Sequence, residues 1–225
     1  MSEINILCYG DSNTWGYVPQ ADHVSSKMRY PRNIRWPGVL QALLAEQYYV
    51  VEEGLNSRKT NFDYAPPPDR NGKTYLSPCL YSHAPIDLVI LALGGNDTKT
   101  YFNRSAEQIN DGLAELVNII QSSPYGNDMV RSPQILITTC AIPFPFIEDV
   151  QDENGVRFMQ GAVKKSQELV GQYALLAKEK GCHYLDLSAD VIPSKIDGVH
   201  YDEAAHKKCA ELINKKISEI FEKRK

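Results

Sequence analysis

Five short apolar runs punctuate the chain: Ile4–Tyr9, Tyr48–Glu52, Leu88–Leu93, Ile135–Thr139 and His183–Leu187. Each is brief and partly β-branched, which predicts strands. Leu88–Leu93 has no polar alternation. A run of that kind predicts a strand covered on both faces, as in a parallel sheet. Between the runs, apolar residues recur at helical steps. Trp36, Val39, Leu40, Leu43 and Leu44 form one stripe, and Ile109, Leu113, Leu116, Val117 and Ile120 a second. Val163, Leu169, Val170, Tyr173, Leu176 and Ala177 form a third, weakened by Gly161 and Gly171. The clearest is Ala205, Cys209, Leu212, Ile213, Ile217 and Ile220, with lysines opposite. Strands alternating with helix-length crossovers predict an α/β fold, a three-layer α/β/α sandwich on a parallel sheet. No linker divides the chain and no repeat is visible, so residues 1–225 read as one domain.

Two stretches fall outside this scheme. Residues 54–85 carry Pro66, Pro67, Pro68, Gly72 and Pro78 and show no periodicity. Residues 141–155 carry Pro143, Phe144, Pro145 and Phe146 ahead of an acidic tip. Both read as long loops leaving the carboxyl ends of strands, the edge where open α/β sheets bind ligands. The aromatic piece fits a pocket wall, with Phe144 as its candidate, and fits a subunit contact equally well.

Composition narrows the function. Of the 225 residues 43% are hydrophobic, and the formal charge of -4 comes with no basic tail, which argues against a nucleic-acid binder. Leu88–Leu93 is far shorter than the roughly 20 residues a membrane helix needs. Met1, Ser2 and Glu3 lead directly into the first strand, without the pattern of a secretory signal. The 5 cysteines include no CxxC pair. A reducing, cytoplasmic setting follows as the expectation.

Candidate chemistry gathers just beyond strand ends. Ile4–Tyr9 runs into Gly10, Asp11, Ser12, Asn13 and Thr14. Asp and Ser there serve equally well as a turn and helix cap. Neither a phosphate loop nor a dinucleotide fingerprint is present. Leu88–Leu93 runs into Gly94, Gly95, Asn96 and Asp97, which offers a side-chain amide above the sheet or, again, a turn. Asp197, Gly198, Val199 and His200 precede the last helix. An Asp three residues before a His can accept from the imidazole and fix its tautomer, although such pairs also arise as helix caps. Together the three blocks supply a hydroxyl nucleophile, its base and an oxyanion donor.

This combination resembles the SGNH, or GDSL-type, serine hydrolase superfamily. Gly10–Asp11–Ser12 corresponds to its nucleophile block, Gly54 to its glycine block, Gly94–Gly95–Asn96–Asp97 to GxND and Asp197–Gly198–Val199–His200 to DxxH. The resemblance implies a flavodoxin-like, five-stranded parallel sheet of order 2-1-3-4-5. It implies Ser12 as nucleophile, His200 as base and Asp197 as its orienting partner. It implies an oxyanion hole made by the backbone N–H groups of Ser12 and Gly54 and the side chain of Asn96. The runs Gly10–Gly16, Glu52–Thr60 and Gly95–Lys99 are similar to the bacterial arylesterase and acyltransferase branch, which implies homo-oligomers and short acyl esters. Asn13 departs from the family pattern, which has Leu there.

The expected function is therefore cofactor-free hydrolysis of acetyl-type or aryl esters, with water or an alcohol as acyl acceptor and no membrane or nucleic-acid partner. A carbohydrate O-deacetylase or a thioesterase would use the same residues. A small-ligand binding module is the nonenzymatic alternative, since fold alone does not decide function. Trp15 is the candidate pocket aromatic. Asp11, Gly95 and Asp97 are candidate supports for the two loops. No metal site is expected, because Asp11 and Asp97 lack companion ligands. His23, His83, His183 and His206 read as ordinary, with His83 a possible pocket lining.

Overall fold

The computed structural model describes residues 3–21, 28–65 and 67–222, so His23 and Pro66 lie outside the described residues. Five strands, β1 (Ile4–Gly10), β2 (Tyr48–Gly54), β3 (Leu88–Ala92), β4 (Gln134–Thr138) and β5 (His183–Leu185), lie parallel in the order β2-β1-β3-β4-β5. Ile4 pairs with Tyr48, Ile6 with Leu88, Leu88 with Gln134 and Leu136 with His183. Order and direction agree with the expectation. β5 is shorter than its apolar run. The Asp186 carboxylate takes the Thr139 hydroxyl at 3.0 Å and the Ser188 N–H at 2.8 Å, turning the chain out of the sheet.

Side chains alternate across a strand. Ile6, Cys8, Leu88, Ile90 and Leu136 enter one layer, where α2 (Trp36–Leu43) and α6 (Glu203–Glu222) cover them. Leu7, Tyr9, Val89, Leu91, Ile135 and Ile137 enter the other, under α3 (Gly72–Ser82), α4 (Ala106–Gln121) and α5 (Ala162–Lys180). Both faces of β1 and β3 are thus dry, which is why their sequences lack polar alternation. Trp36 is fully buried in the first layer. Along α6 the predicted stripe is buried at Ala205, Cys209, Ile213, Ile217 and Ile220, and Leu212 only partly. α4 opens on a reciprocal cap, with Ser105 Oγ accepting from the Gln108 N–H and Gln108 Oε1 from the Ser105 N–H. Among the described residues no helix is long and apolar enough to cross a membrane.

The stretch 54–85 corrects the expectation of an unbroken loop, because it contains α3. Gly72 at its start and Pro78 inside it are poor helix formers and mask the pattern. Tertiary burial overrides them: Leu76, Cys79 and Leu80 are fully buried. Asn71 caps the helix by accepting the Lys73 N–H at 3.0 Å, and the Tyr9 hydroxyl donates to the Gly72 carbonyl at 2.7 Å. Within 141–155 a short 3-10 turn, Pro145–Asp149, buries Ile147.

Two glycines let a short helix, α1 (Ser12–Trp15), settle onto the sheet edge. Gly10 and Gly54 are register partners at the ends of β1 and β2. A Cβ at Gly10 would lie 2.0 Å from Thr14 Oγ1, and one at Gly54 only 2.1 Å from the Trp15 backbone nitrogen. The second contact is with backbone, which cannot swing aside. Gly54→Ala is therefore expected to cost about 2–3 kcal/mol by overpacking, lowering Tm by roughly 5–10 °C in a protein of this size. A urea midpoint equal to that of the wild type would show that α1 yields freely.

Candidate active site

β1 delivers the chain to the carboxyl edge of the sheet, and Asp11 starts the next turn. Its Oδ1 accepts the Asn13 N–H at 3.0 Å, capping α1, and Gly16 closes it at φ 88°. This places Ser12 at the first position of α1. The segment joining β5 to α6 brings the other partners. Asp197 Oδ1 accepts the N–H groups of Val199 and His200 at 3.1 and 2.9 Å, folding the loop back on itself, with Gly198 at φ 74°. Asp197 Oδ2 then lies 2.8 Å from His200 Nδ1, and His200 Nε2 lies 3.1 Å from Ser12 Oγ. The carboxylate fixes the proton on Nδ1, which leaves Nε2 to accept from the serine hydroxyl. Burial works to raise the Asp197 carboxyl, but the hydrogen bond and charge of His200, with the two backbone donors, outweigh it and hold the group below its ordinary value.

Two further residues hold the imidazole. The Tyr17 ring packs on it with centroids 4.3 Å apart. Asn13 bridges the nucleophile turn to the backbone on either side of His200. Its Oδ1 accepts the Tyr201 N–H at 2.9 Å and its Nδ2 reaches the Val199 carbonyl at 3.5 Å. The residue that departs from the family pattern therefore ties the two halves of the site together.

Asn96 follows β3 through Gly94, whose φ of 114° suits glycine. Its Nδ2 donates to the Arg58 carbonyl at 3.2 Å, leaving a second N–H available. Asp97, fully buried, anchors this turn. It accepts the Thr60 N–H and hydroxyl and pairs with Arg104 at 2.8 Å. Burial pushes its carboxyl up to about 6 against the pull of these partners.

Ser12, His200, Asp197, Asn96, Asp11, Asn13 and Gly95 share the lining of one cavity of about 250 Å³. Its apolar wall comes from Ala141, Pro143, Ile147, Phe158, Met159 and Val199. Four candidates from the sequence lie elsewhere. Asp97 acts from behind the turn. Trp15 stands aside, its ring under the Arg29 guanidinium at 5.0 Å, and Tyr17 supplies the aromatic face instead. Phe144 braces the His200 loop, its N–H donating to the Gly198 carbonyl at 2.9 Å. Gly54 packs beneath α1, and the loop after it reaches the cavity through Asn56 and Ser57, the latter at φ 64°. Tyr17, Ser57 and Lys99 are lining residues that sequence reasoning did not single out. Of these Ser57 and Lys99 had a signal, as members of the Glu52–Thr60 and Gly95–Lys99 runs, and Tyr17 had none.

His83 does not line the cavity. Its Nε2 meets Glu53 Oε1 at 2.8 Å. With Cys79 these form a group of possible metal-ligating atoms within 4.8 Å of one another. The same Glu53 oxygen also takes the Tyr75 hydroxyl, and Arg58 lies over the Tyr75 ring at 5.5 Å. That hydrogen bonding and adjacent cation read as a tether between β2 and α3. His206 is buried, its Nδ1 accepting the Trp36 N–H at 3.3 Å, and desolvation lowers its pKa to about 3.

The model of the GDSL-like lipase/acylhydrolase family matches residues 8–208. The chain belongs to this family. Among solved structures this family member resembles Est24, a carbohydrate acetylesterase from Sinorhizobium meliloti, at 33% identity and a TM-score of 0.85, covering 97% of this chain and 100% of the other. It resembles the aryl esterase of M. smegmatis at 32% identity and a TM-score of 0.84, with coverage of 97% and 100%. A G-D-S-L family lipolytic protein from Veillonella parvula, 16% identical with a TM-score of 0.65 over 97% and 98% of the two chains, shares the fold. No curated protein matches. As a GDSL hydrolase with esterases among its structural neighbours, the chain is a carboxylic ester hydrolase.

Proposed function

We propose that this GDSL hydrolase cleaves short-chain acyl esters, acetyl esters foremost, through an acyl-Ser12 intermediate. The observation that carries the reading is the unbroken line Asp197–His200–Ser12 opening on a small, largely apolar cavity. Ser12 Oγ attacks the ester carbonyl carbon as its proton passes to His200 Nε2. The carbonyl oxygen becomes an oxyanion, met by the Ser12 N–H and the Asn96 amide. Ser57, which lines the cavity where Gly54 does not, is the third donor in this reading. The carbon–oxygen bond to the alcohol then breaks, and His200 returns the proton to the leaving oxygen. Water repeats the sequence on the acyl-enzyme and frees the acid. An alcohol in place of water would give acyl transfer.

The cavity falls below the 300–1,000 Å³ common for ligand sites. That favours a small acyl group over a fatty chain. The similarity to a carbohydrate acetylesterase favours an acetyl group on the acyl side, and the further similarity to an aryl esterase leaves the alcohol side open. The test is p-nitrophenyl acetate, butyrate and octanoate side by side. The acetate should exceed the octanoate in kcat/KM by about tenfold or more, since even one methylene that the pocket does not accommodate costs about 1–3 kcal/mol. Equal rates on all three chains would sink the small-acyl reading.

Asn96→Ala removes an oxyanion donor but leaves Ser12 and His200 in place. It should lower kcat about 10²–10³-fold with little change in KM. A change confined to KM would mean that Asn96 only binds ground-state ester.

A further inference from the structure

We propose that Lys99 forms a binding subsite for a carboxylate, or a similar anionic group, carried by the ester substrate. The inference rests on the esterase reading above and names a substrate class for it. Lys99 closes the turn that presents Asn96, its N–H donating to the Asn96 carbonyl, and it lines the same cavity as Ser12 and His200.

A charge inventory of the cavity leads to the proposal. Among the described residues the lining carboxylates are Asp11 and Asp197 and the lining bases are Lys99 and His200, beside the phenol of Tyr17 and the thiol of Cys140. Asp197 is committed to His200 at 2.8 Å. Asp97, behind the turn, is committed to Arg104 and Thr60. Asp11 lends Oδ1 to the Asn13 N–H and makes no ion pair with Lys99. The Lys99 ammonium thus has no hydrogen-bond acceptor or carboxylate in contact among the described residues, while the wall around it is mainly apolar.

Lys99 is half-buried, and an anion brought to an unpaired ammonium beside an apolar wall gains more than it would in open water. Burial, aided by the nearby Lys59 charge, pulls Lys99 down to about 8, so it remains mostly protonated at neutral pH. The competing account is that Lys99 merely balances the charge of Asp11. In that case removing it would affect charged and neutral esters alike.

The experiment uses matched substrate pairs that differ only in charge. 4-Acetoxybenzoate against its methyl ester places the anion on the leaving group. p-Nitrophenyl hemisuccinate against its methyl ester places it on the acyl group. For each pair the ratio of kcat/KM, anionic over neutral, is measured in wild type, Lys99→Met and Lys99→Arg. In one pair the ratio should fall tenfold or more in Lys99→Met and return toward wild type in Lys99→Arg, and the responding pair identifies the side that carries the anion. Ratios within twofold of wild type in both pairs would overturn the proposal. Lys99→Gln, which is one bond shorter and uncharged but keeps a donor, replaces the methionine variant if that fails to fold. If the wild type turns over none of the four esters, the esterase reading fails. The subsite is then decided by equilibrium binding of the same pairs to Ser12→Ala. A preference for the anion that Lys99→Met abolishes supports it, and equal binding of anion and methyl ester overturns it.

Discussion

Ser12→Ala should reduce kcat on p-nitrophenyl acetate by about 10⁵–10⁶-fold, the scale seen when a serine nucleophile acting with its base is removed. The expectation follows from the geometry. Ser12 Oγ stands 3.1 Å from the only ring nitrogen of His200 that Asp197 does not hold. Without the hydroxyl no acyl-enzyme can form, and a water would have to enter the same line with no covalent tether to orient it. His200→Ala should cost about as much, and the double variant little more, because residues acting as one unit do not contribute additively. Ser12 is buried but its side chain is small, so the melting temperature should move by only a few degrees. The comparison therefore separates chemistry from folding. A Ser12→Ala enzyme with more than a hundredth of the wild-type rate would remove Ser12 from the reaction.

Asp197→Asn should lower kcat by about 10⁴-fold, and for a different reason. The amide oxygen can still accept the N–H groups of Val199 and His200, so the loop keeps its shape. The amide nitrogen, however, now faces His200 Nδ1 as a donor. The imidazole is driven to carry its proton on Nε2, facing Ser12, where it can no longer accept. Kinetics of acyl-enzyme formation would show the loss in the first chemical step with substrate binding nearly intact. A variant within tenfold of wild type would mean that His200 finds its tautomer without Asp197.

Much of this was legible in the chain. Leu88–Leu93 lacks polar alternation because helices cover both faces of β3, and that is a property the sequence can carry. The blocks around Ser12, Asn96 and His200 were legible because each sits just past a strand, and a parallel sheet collects such ends at one edge. α3 was hidden because Gly72 and Pro78 weaken its local signal, while the burial that stabilises it comes from distant residues. Tyr17 was overlooked for Trp15 because both follow Ser12 on one short segment, and only the fold decides which ring turns toward His200. Gly54 illustrates a different limit. A glycine at a strand end suits a ligand donor or a close backbone approach, and the 2.1 Å clearance a Cβ would have from Trp15 favours the second. The contact of Asn13 with Val199 and Tyr201 spans almost the whole chain, and local patterning carries no trace of it.

That span also bears on how the enzyme comes into being. Asn13 and Tyr201 are 188 residues apart, as are Ser12 and His200. A ribosome releasing this chain exposes Ser12 long before His200, so on the proposed mechanism the nascent polypeptide lacks a complete triad until the segment carrying His200 docks near the end of β1. Contacts of such long sequence separation form late and slowly. Ester turnover during synthesis therefore works as a clock, and its first appearance marks the moment when the two distant segments meet.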